Sequence, residues 1–368
     1  MSDSSRGGLI DRWVRPEVRA LSAYHVPPPA DVVKLDAMEN PWPWPGALSS
    51  AWRETLAGVA VNRYPDAGAS ELKARLREVM DVPAGAELML GNGSDELILL
   101  VNLLVAAPKR VVLTPGPGFA MYRIIAINSG LGYHEVPLGP DFELDEAAML
   151  AAIEAEQPAV VYLAYPNNPT GNAFDRAAVG RIIQAAPGLV VVDEAYYAFA
   201  RDSFLPDVLA HPNLLVMRTL SKVGLAGLRL GLLVGHPDWL TELEKLRLPY
   251  NINALTQASA CFALEHRDGL EETVRSIVAE RGRLAEALAA VAGVERVWPS
   301  EANFLTFRVM PGRAPAVHQG LRDRGVLIKC LDGSHPQLAD CLRVTVGRPE
   351  ENERFLEVLA AVCRKTTA

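Results

Sequence analysis

Cysteine is scarce: Cys261, Cys330, Cys341 and Cys363 are the only four in 368 residues, and none sits in a C-x-x-C pair. That excludes a disulfide scaffold and makes unpaired thiols in a reducing cytoplasm the expectation. The one loose cluster, Cys330, His335 and Cys341, lacks zinc-ligand spacing, so no metal is expected. Long apolar runs are also missing. The longest, from Leu97 to Ala107, contains Asn102 and falls well short of the roughly 20 residues that a membrane span needs. The first fifteen residues mix Asp and Arg with isolated apolar side chains, which is not the pattern of a signal peptide. There is no basic excess either: 36 Lys and Arg stand against 44 Asp and Glu, a net charge of −8. An acidic balance gives no electrostatic footprint for nucleic acid or an anionic membrane, although a local basic pocket for a small anion stays open. No repeat of solenoid period is visible.

What is present is an ordinary globular composition, 49% hydrophobic and 22% charged, in a chain long enough for two or three domains. The first 60 residues are Pro-rich, with VPPPA at 26–30 and NPWPWPG at 40–46, and cannot form a regular helix or central strand. A helix is expected from Ser70, with Leu72, Leu76 and Val79 on one face. From residue 87 the chain alternates. Strand-like runs at 87–90, 110–114, 159–164, 189–193, 213–219 and 228–234 are separated by helix-like stretches at 94–106, 117–128, 145–156 and 175–185. Continuous apolar strands alternating with helices predict an α/β fold with a mostly parallel sheet covered on both faces, and chemistry at the carboxyl ends of the strands. A helical stripe over 270–293, interrupted by Arg281, reads as a packing helix between domains. Strand candidates at 302–308 and 341–346 and a closing helix from about Glu350 predict a smaller α+β domain. The expected division is 1–60 (arm and part of the small domain), 61–250 (large domain), 251–290 (interdomain helices) and 291–368 (small domain).

The polar residues at strand ends share one character. Asp193 closes the run LVVV, where a carboxylate is costly to bury unless something positive meets it; a helix cap or a structural salt bridge is the alternative. Lys222 follows the strand at 213–219, where a low-dielectric wall would lower its pKa and free an amine for attack on a carbonyl; a solvated surface lysine is the alternative. Ser221 and Arg229 can together grip a phosphate. The stretch Gly91-Asn92-Gly93-Ser94-Asp95-Glu96 leads into an apolar helix and offers an anion seat, with simple capping by Ser94 or Asp95 as the alternative. PNNPTG at 166–171 sets Asn168 at another strand end. An amine, a strand-end carboxylate, phosphate donors and amide or phenol donors are the set that pyridoxal 5'-phosphate needs.

These residues, in this order, resemble the fold-type I pyridoxal-phosphate aminotransferases and, within them, the histidinol-phosphate aminotransferases. The likeness runs over nearly the whole chain: LDAMENP (35–41), NRYPD (62–66), GNGSDE (91–96), PGFAMY (117–122), YPNNPTG (165–171), VVDEAY (191–196), RTLSK (218–222), GLAGLRLG (224–231), ANFLTFR (302–308) and LRVTVG (342–347). The resemblance implies a seven-stranded large domain, a small domain from both chain ends, and a homodimer. It implies that Lys222 forms the Schiff base and shuttles a proton, that Asp193 pairs with the pyridine nitrogen, and that Tyr196 and Asn168 donate to the ring oxygen. Ser94, Asp95, Ser221 and Arg229 would hold the phosphate, and Phe119 would stack on the ring. Tyr64 would arrive from the other subunit, while Arg343, Lys329, Tyr24 and Asn40 would face substrate. The implied reaction interconverts L-histidinol phosphate plus 2-oxoglutarate and imidazole acetol phosphate plus L-glutamate. Four positions depart from the family pattern: Phe119 where Tyr is frequent, a Lys222–Arg229 spacing one residue short, Lys329 where some relatives have Arg, and Trp42 in place of a phenol. A threonine-phosphate decarboxylase, an aromatic amino-acid aminotransferase and a non-catalytic cofactor-binding module remain as alternatives.

Overall fold

The structure is a computed structural model that describes residues 3–23 and 32–366. Seven strands form one sheet: β1 (Glu87–Asn92), β2 (Val111–Gly116), β3 (Gly132–Pro137), β4 (Val160–Ala164), β5 (Leu189–Asp193), β6 (Leu214–Thr219) and β7 (Leu230–Gly235). Their spatial order is β1-β7-β6-β5-β4-β2-β3. Six strands point the same way, and β7 alone runs antiparallel to both its neighbours. Every residue of β4, β5, β6 and β7 is buried, which is why these segments read as unbroken Val/Leu runs rather than alternating ones. The edge strand β3, Gly-Tyr-His-Glu-Val-Pro, is largely half-buried or exposed and was absent from the strand-like runs, since an edge strand with one open side needs no apolar run.

Helices Ser94–Val105, Ala120–Asn128, Glu146–Glu156 and Arg176–Ala185 follow the strands, and a separate apolar cluster fills each face of the sheet. The second of these starts later than the expected 117, because Pro117 to Phe119 form the turn out of β2 and Phe119 is extended. The helix expected from Ser70 spans Ser70–Val79 with Leu72 and Leu76 buried, but its first amide is capped by the Asp66 carboxylate, which accepts from Ser70 N–H at 2.6 Å.

A second sheet, β8 (Val294–Val297), β9 (Phe304–Val309), β10 (Lys329–Cys330) and β11 (Cys341–Thr345), is antiparallel in the order β10-β11-β9-β8. Helices Ala314–Arg322 and Pro349–Thr366 pack on it around their own apolar cluster. Val33–Lys34 pairs in parallel with Val326–Leu327, so both chain ends contribute to this layer. The Pro-rich first 60 residues nevertheless form regular helices, Asp3–Trp13 and Gly46–Ala57, because the prolines lie outside them and Pro45 sits at the cap of the second, where its missing amide costs nothing. The long helix Arg267–Ala289 carries the stripe interrupted by Arg281; that guanidinium is buried and donates to the carbonyl of Ala302 at 2.8 Å, tying the helix to the segment that enters β9. Among the described residues no helix is long and apolar enough to cross a membrane.

Candidate active site

Five of the six co-directional strands end at one cavity. The turns after β1, β2, β4, β5 and β6 bring Ser94, Asp95, Phe119, Asn168, Asp193, Tyr196, Ser221 and Lys222 to its walls, and Arg229 reaches it from the start of β7. Carboxyl ends of parallel strands are where an α/β sheet exposes its loops and helix N-termini to a ligand.

Lys222 lies in a 3₁₀ turn directly after β6 and is half-buried. Its Nζ donates to the Ala37 carbonyl at 3.4 Å and sits 5.9 Å from the centroid of the Tyr196 ring. Burial, and then the positive charge of Arg343, lower its pKa from 10.5 to about 8. Asp193 ends β5 with 4% of its surface exposed. Tyr122 donates to its Oδ2 at 2.7 Å and the Ala195 N–H to its Oδ1 at 3.1 Å. Burial pushes its pKa from 3.8 up to about 6 against those two donors. Neither bland alternative holds here. Asp193 caps no helix, and the structural ion pair belongs to its neighbour: Glu194 accepts from Arg218 Nε at 2.9 Å, with both side chains buried.

Opposite this pair runs a chain of polar contacts. Asn168 Nδ2 donates to the Tyr196 hydroxyl at 3.1 Å, Arg343 Nη1 donates to Asn168 Oδ1 at 2.5 Å, and Arg343 Nη2 donates to the Asp36 carbonyl at 3.2 Å. Arg343 stands on β11 and Lys329 directly across from it on β10, a register that puts the two cations on one face.

At the third corner Gly93, at φ +86° and ψ 165°, opens the helix Ser94–Val105. Neither Ser94 nor Asp95 caps that helix by side chain; instead the Glu96 carboxylate reaches back to the Asn92 N–H at 2.5 Å. The first-turn amides are thus not taken by a Ser94 or Asp95 side chain. The shortened loop still delivers Arg229: two 3₁₀ turns, Ser221–Val223 and Ala226–Leu228, end with Arg229 in the left-handed region at φ +49°. Its Nη2 lies 3.4 Å from Asp95 Oδ2, and a Cβ on Gly93 would stand only 2.5 Å from it. A Cβ on Gly231 would likewise strike the Gly93–Ser94 peptide at 2.7 Å. An anion cradle of this tightness, a buried carboxylate without a cationic partner among the described residues, and an amine of lowered pKa fit pyridoxal 5'-phosphate at its phosphate, ring nitrogen and aldehyde respectively.

Not every candidate reaches the cavity. Tyr64 is 81% exposed and stacks on Tyr250 with centroids 4.4 Å apart. Asn40 turns its amide to Thr273 at 2.8 Å. Tyr24 lies outside the described residues. His335 of the loose Cys/His cluster pairs with Glu135 at 3.2 Å, and among the described residues no group of three or more His, Cys, Asp or Glu could hold a metal. Among the lining residues to which the sequence assigned no role is Tyr122, on the buried face of the helix Ala120–Asn128; it closes the PGFAMY stretch, and by itself is a phenol among apolar neighbours.

The sequence model for "Aminotransferase class I and II" matches residues 30–359. The chain is 54% identical to histidinol-phosphate aminotransferase 2 of Nitrosococcus oceani over 96% of its own length and 98% of that protein's. It is 53% identical to the histidinol-phosphate aminotransferase of Chromobacterium violaceum, covering 95% of this chain and 98% of that one. Among solved structures it superposes, at a TM-score of 0.86 and 26% identity, on the histidinol-phosphate aminotransferase of Sinorhizobium meliloti in complex with pyridoxal-5'-phosphate, covering 96% of this chain and 98% of that one. The chain belongs to the class I and II aminotransferases, and among them to the histidinol-phosphate aminotransferases.

Proposed function

We propose that this protein is a pyridoxal-phosphate-dependent aminotransferase that interconverts L-histidinol phosphate plus 2-oxoglutarate and imidazole acetol phosphate plus L-glutamate. The observation that carries the substrate is the identity of about half, over nearly the whole chain, to relatives named for that activity. The geometry supports the reaction type. When bound, pyridoxal phosphate supplies an aldehyde for the amine and a protonated ring that draws electrons from the Cα–H bond.

The rest is done by the chain. Lys222 Nζ, its pKa lowered by burial, would be the amine that holds the cofactor's aldehyde and, once the substrate amine has replaced it there, the base placed to move the proton at the substrate Cα. Asp193, as a carboxylate, holds the proton on the ring nitrogen. Tyr196 and Asn168 donate to the ring oxygen, and Arg343, bonded to Asn168, faces the anionic end of the substrate. Lys329, across the ladder from Arg343, adds a second positive charge, so that one cluster can accept a phosphate in one half-reaction and a carboxylate in the other. The amides of Ser94 and Asp95, the Ser221 hydroxyl and Arg229 hold the cofactor phosphate, and Phe119 covers the ring. Tyr24 stays in this reading as a substrate contact on the resemblance alone, whereas Asn40, whose amide is taken by Thr273, is set aside.

The same reading makes the active form a homodimer in which Tyr64 serves the neighbouring site; its exposure beside Tyr250 and Leu248, also open to solvent, supports that. The enzyme then works in the cytoplasm, and its chain divides into 1–60 (arm and part of the small domain), 61–250 (large domain), 251–290 (interdomain helices) and 291–368 (small domain), with the two larger sheets in different units. The test is production of glutamate from 2-oxoglutarate. It should require histidinol phosphate and should vanish in Lys222→Ala with the circular dichroism spectrum unchanged. Retained turnover in that variant overturns the mechanism.

A further inference from the structure

Asp193 is buried at the floor of the cavity, and its surroundings discourage charge. Asp95 and Glu194 both raise its pKa through their charges, and the side chains closest in kind, Tyr122, Tyr162 and Tyr196, carry no positive charge. Its only side-chain hydrogen-bond donor among the described residues is Tyr122, at 2.7 Å from Oδ2. That hydroxyl is itself held. The Tyr122 ring is 2% exposed, stacks on Tyr162 with centroids 4.8 Å apart and planes 11° apart, and meets Phe119 edge-on at 5.5 Å. Tyr162 in turn donates to Asn102 Oδ1 at 2.8 Å, inside the helix whose first turn carries Ser94 and Asp95.

We infer that Tyr122 is a positioning residue for cofactor binding: its hydroxyl holds Asp193 as an oriented, ionised carboxylate at a fixed place relative to the phosphate seat. A donor to the charged form opposes what burial does to a carboxyl. Burial also pushes the Tyr122 phenol well above its usual pKa, so it keeps its proton and remains a donor at every working pH. The stacked pair Tyr122–Tyr162 links two ends of the site, ring nitrogen and phosphate, through side chains that have no room to turn.

This inference rests on the proposed role of Asp193, and the test separates the two. Release of pyridoxal phosphate from the holoenzyme is followed by dialysis and visible absorption between pH 5.5 and 8.5 for wild type, Tyr122→Phe, Asp193→Asn and the double variant. Loss of a charge-assisted hydrogen bond predicts release about ten- to a hundredfold faster in Tyr122→Phe. It also predicts that the pH midpoint of retention moves up, because the unassisted carboxyl keeps its proton to higher pH. With Asp193 already Asn, adding Tyr122→Phe should change release by less than about twofold, since the two residues act through one bond. Wild-type release and midpoint in a folded Tyr122→Phe, while Asp193→Asn loses cofactor, overturns the inference. Unchanged retention in Asp193→Asn instead overturns the role of Asp193. Should Tyr122→Phe fail to fold, the double variant decides: without the buried charge it should fold, and its failure would make Tyr122 a packing residue only.

Discussion

Lys222 makes the native protein less stable than it could be, and the size of that effect can be worked out. The native pKa of about 8 lies about 2.5 below the ordinary 10.5. At about 1.36 kcal/mol per pH unit, holding the charged amine in the fold costs about 3 kcal/mol. The sign follows from proton counting: between pH 8 and 10.5 the unfolded chain binds a proton that the native one does not, so stability rises with pH across that window. Lys222→Met keeps the length of the side chain and removes the charge. Below pH 8 the cofactor-free variant should therefore be more stable than cofactor-free wild type by up to about 3 kcal/mol, and the advantage should fade as the pH climbs to 10.5. Other titrating groups are common to both proteins and cancel. Urea unfolding at matched protein concentration reads the difference directly. A variant less stable than wild type at pH 7, or a difference that does not change with pH, would refute a desolvated amine at this position.

Three further outcomes are expected, the first two from the geometry and the third from the proposed dimer. Glu194→Gln leaves the Arg218 guanidinium buried without its carboxylate and should cost about 3–5 kcal/mol in the same unfolding assay. Gly93→Ala forces a Cβ into a φ +86° position and against Arg229, so inorganic phosphate should protect the cofactor-free protein against heat about tenfold less effectively than in wild type, a loss of the order of one charge-assisted hydrogen bond. Mixed dimers of Lys222→Ala and Tyr64→Ala subunits should regain activity that neither parent has, because one of the two sites then carries both defects and the other none; an inactive hybrid would place Tyr64 in its own subunit's site.

The buried strands were legible because a strand covered on both faces must be apolar throughout, and Asp193 and Lys222 stood out as charges at the ends of such runs. β3 was not, since its open edge tolerates Tyr-His-Glu. The same reasoning explains the site. Ser94, Asn168, Ser221 and Arg229 are local to strand ends and could be placed from the chain alone. The contact between Arg343 and Asn168 spans 175 positions and needs the second sheet to be docked before it exists. Tyr122 was hidden for another reason: on an apolar helix face an aromatic side chain reads as core, and only its hydrogen bond to Asp193 distinguishes it.

Transamination of histidinol phosphate can be read from a visible absorption scan of the purified holoenzyme, first with L-histidinol phosphate alone and then with 2-oxoglutarate added. The absorption of the bound aldehyde form should disappear with the amino donor and return with the keto acid. A yellow protein that ignores histidinol phosphate and releases carbon dioxide from threonine phosphate would keep the fold and contradict the reaction.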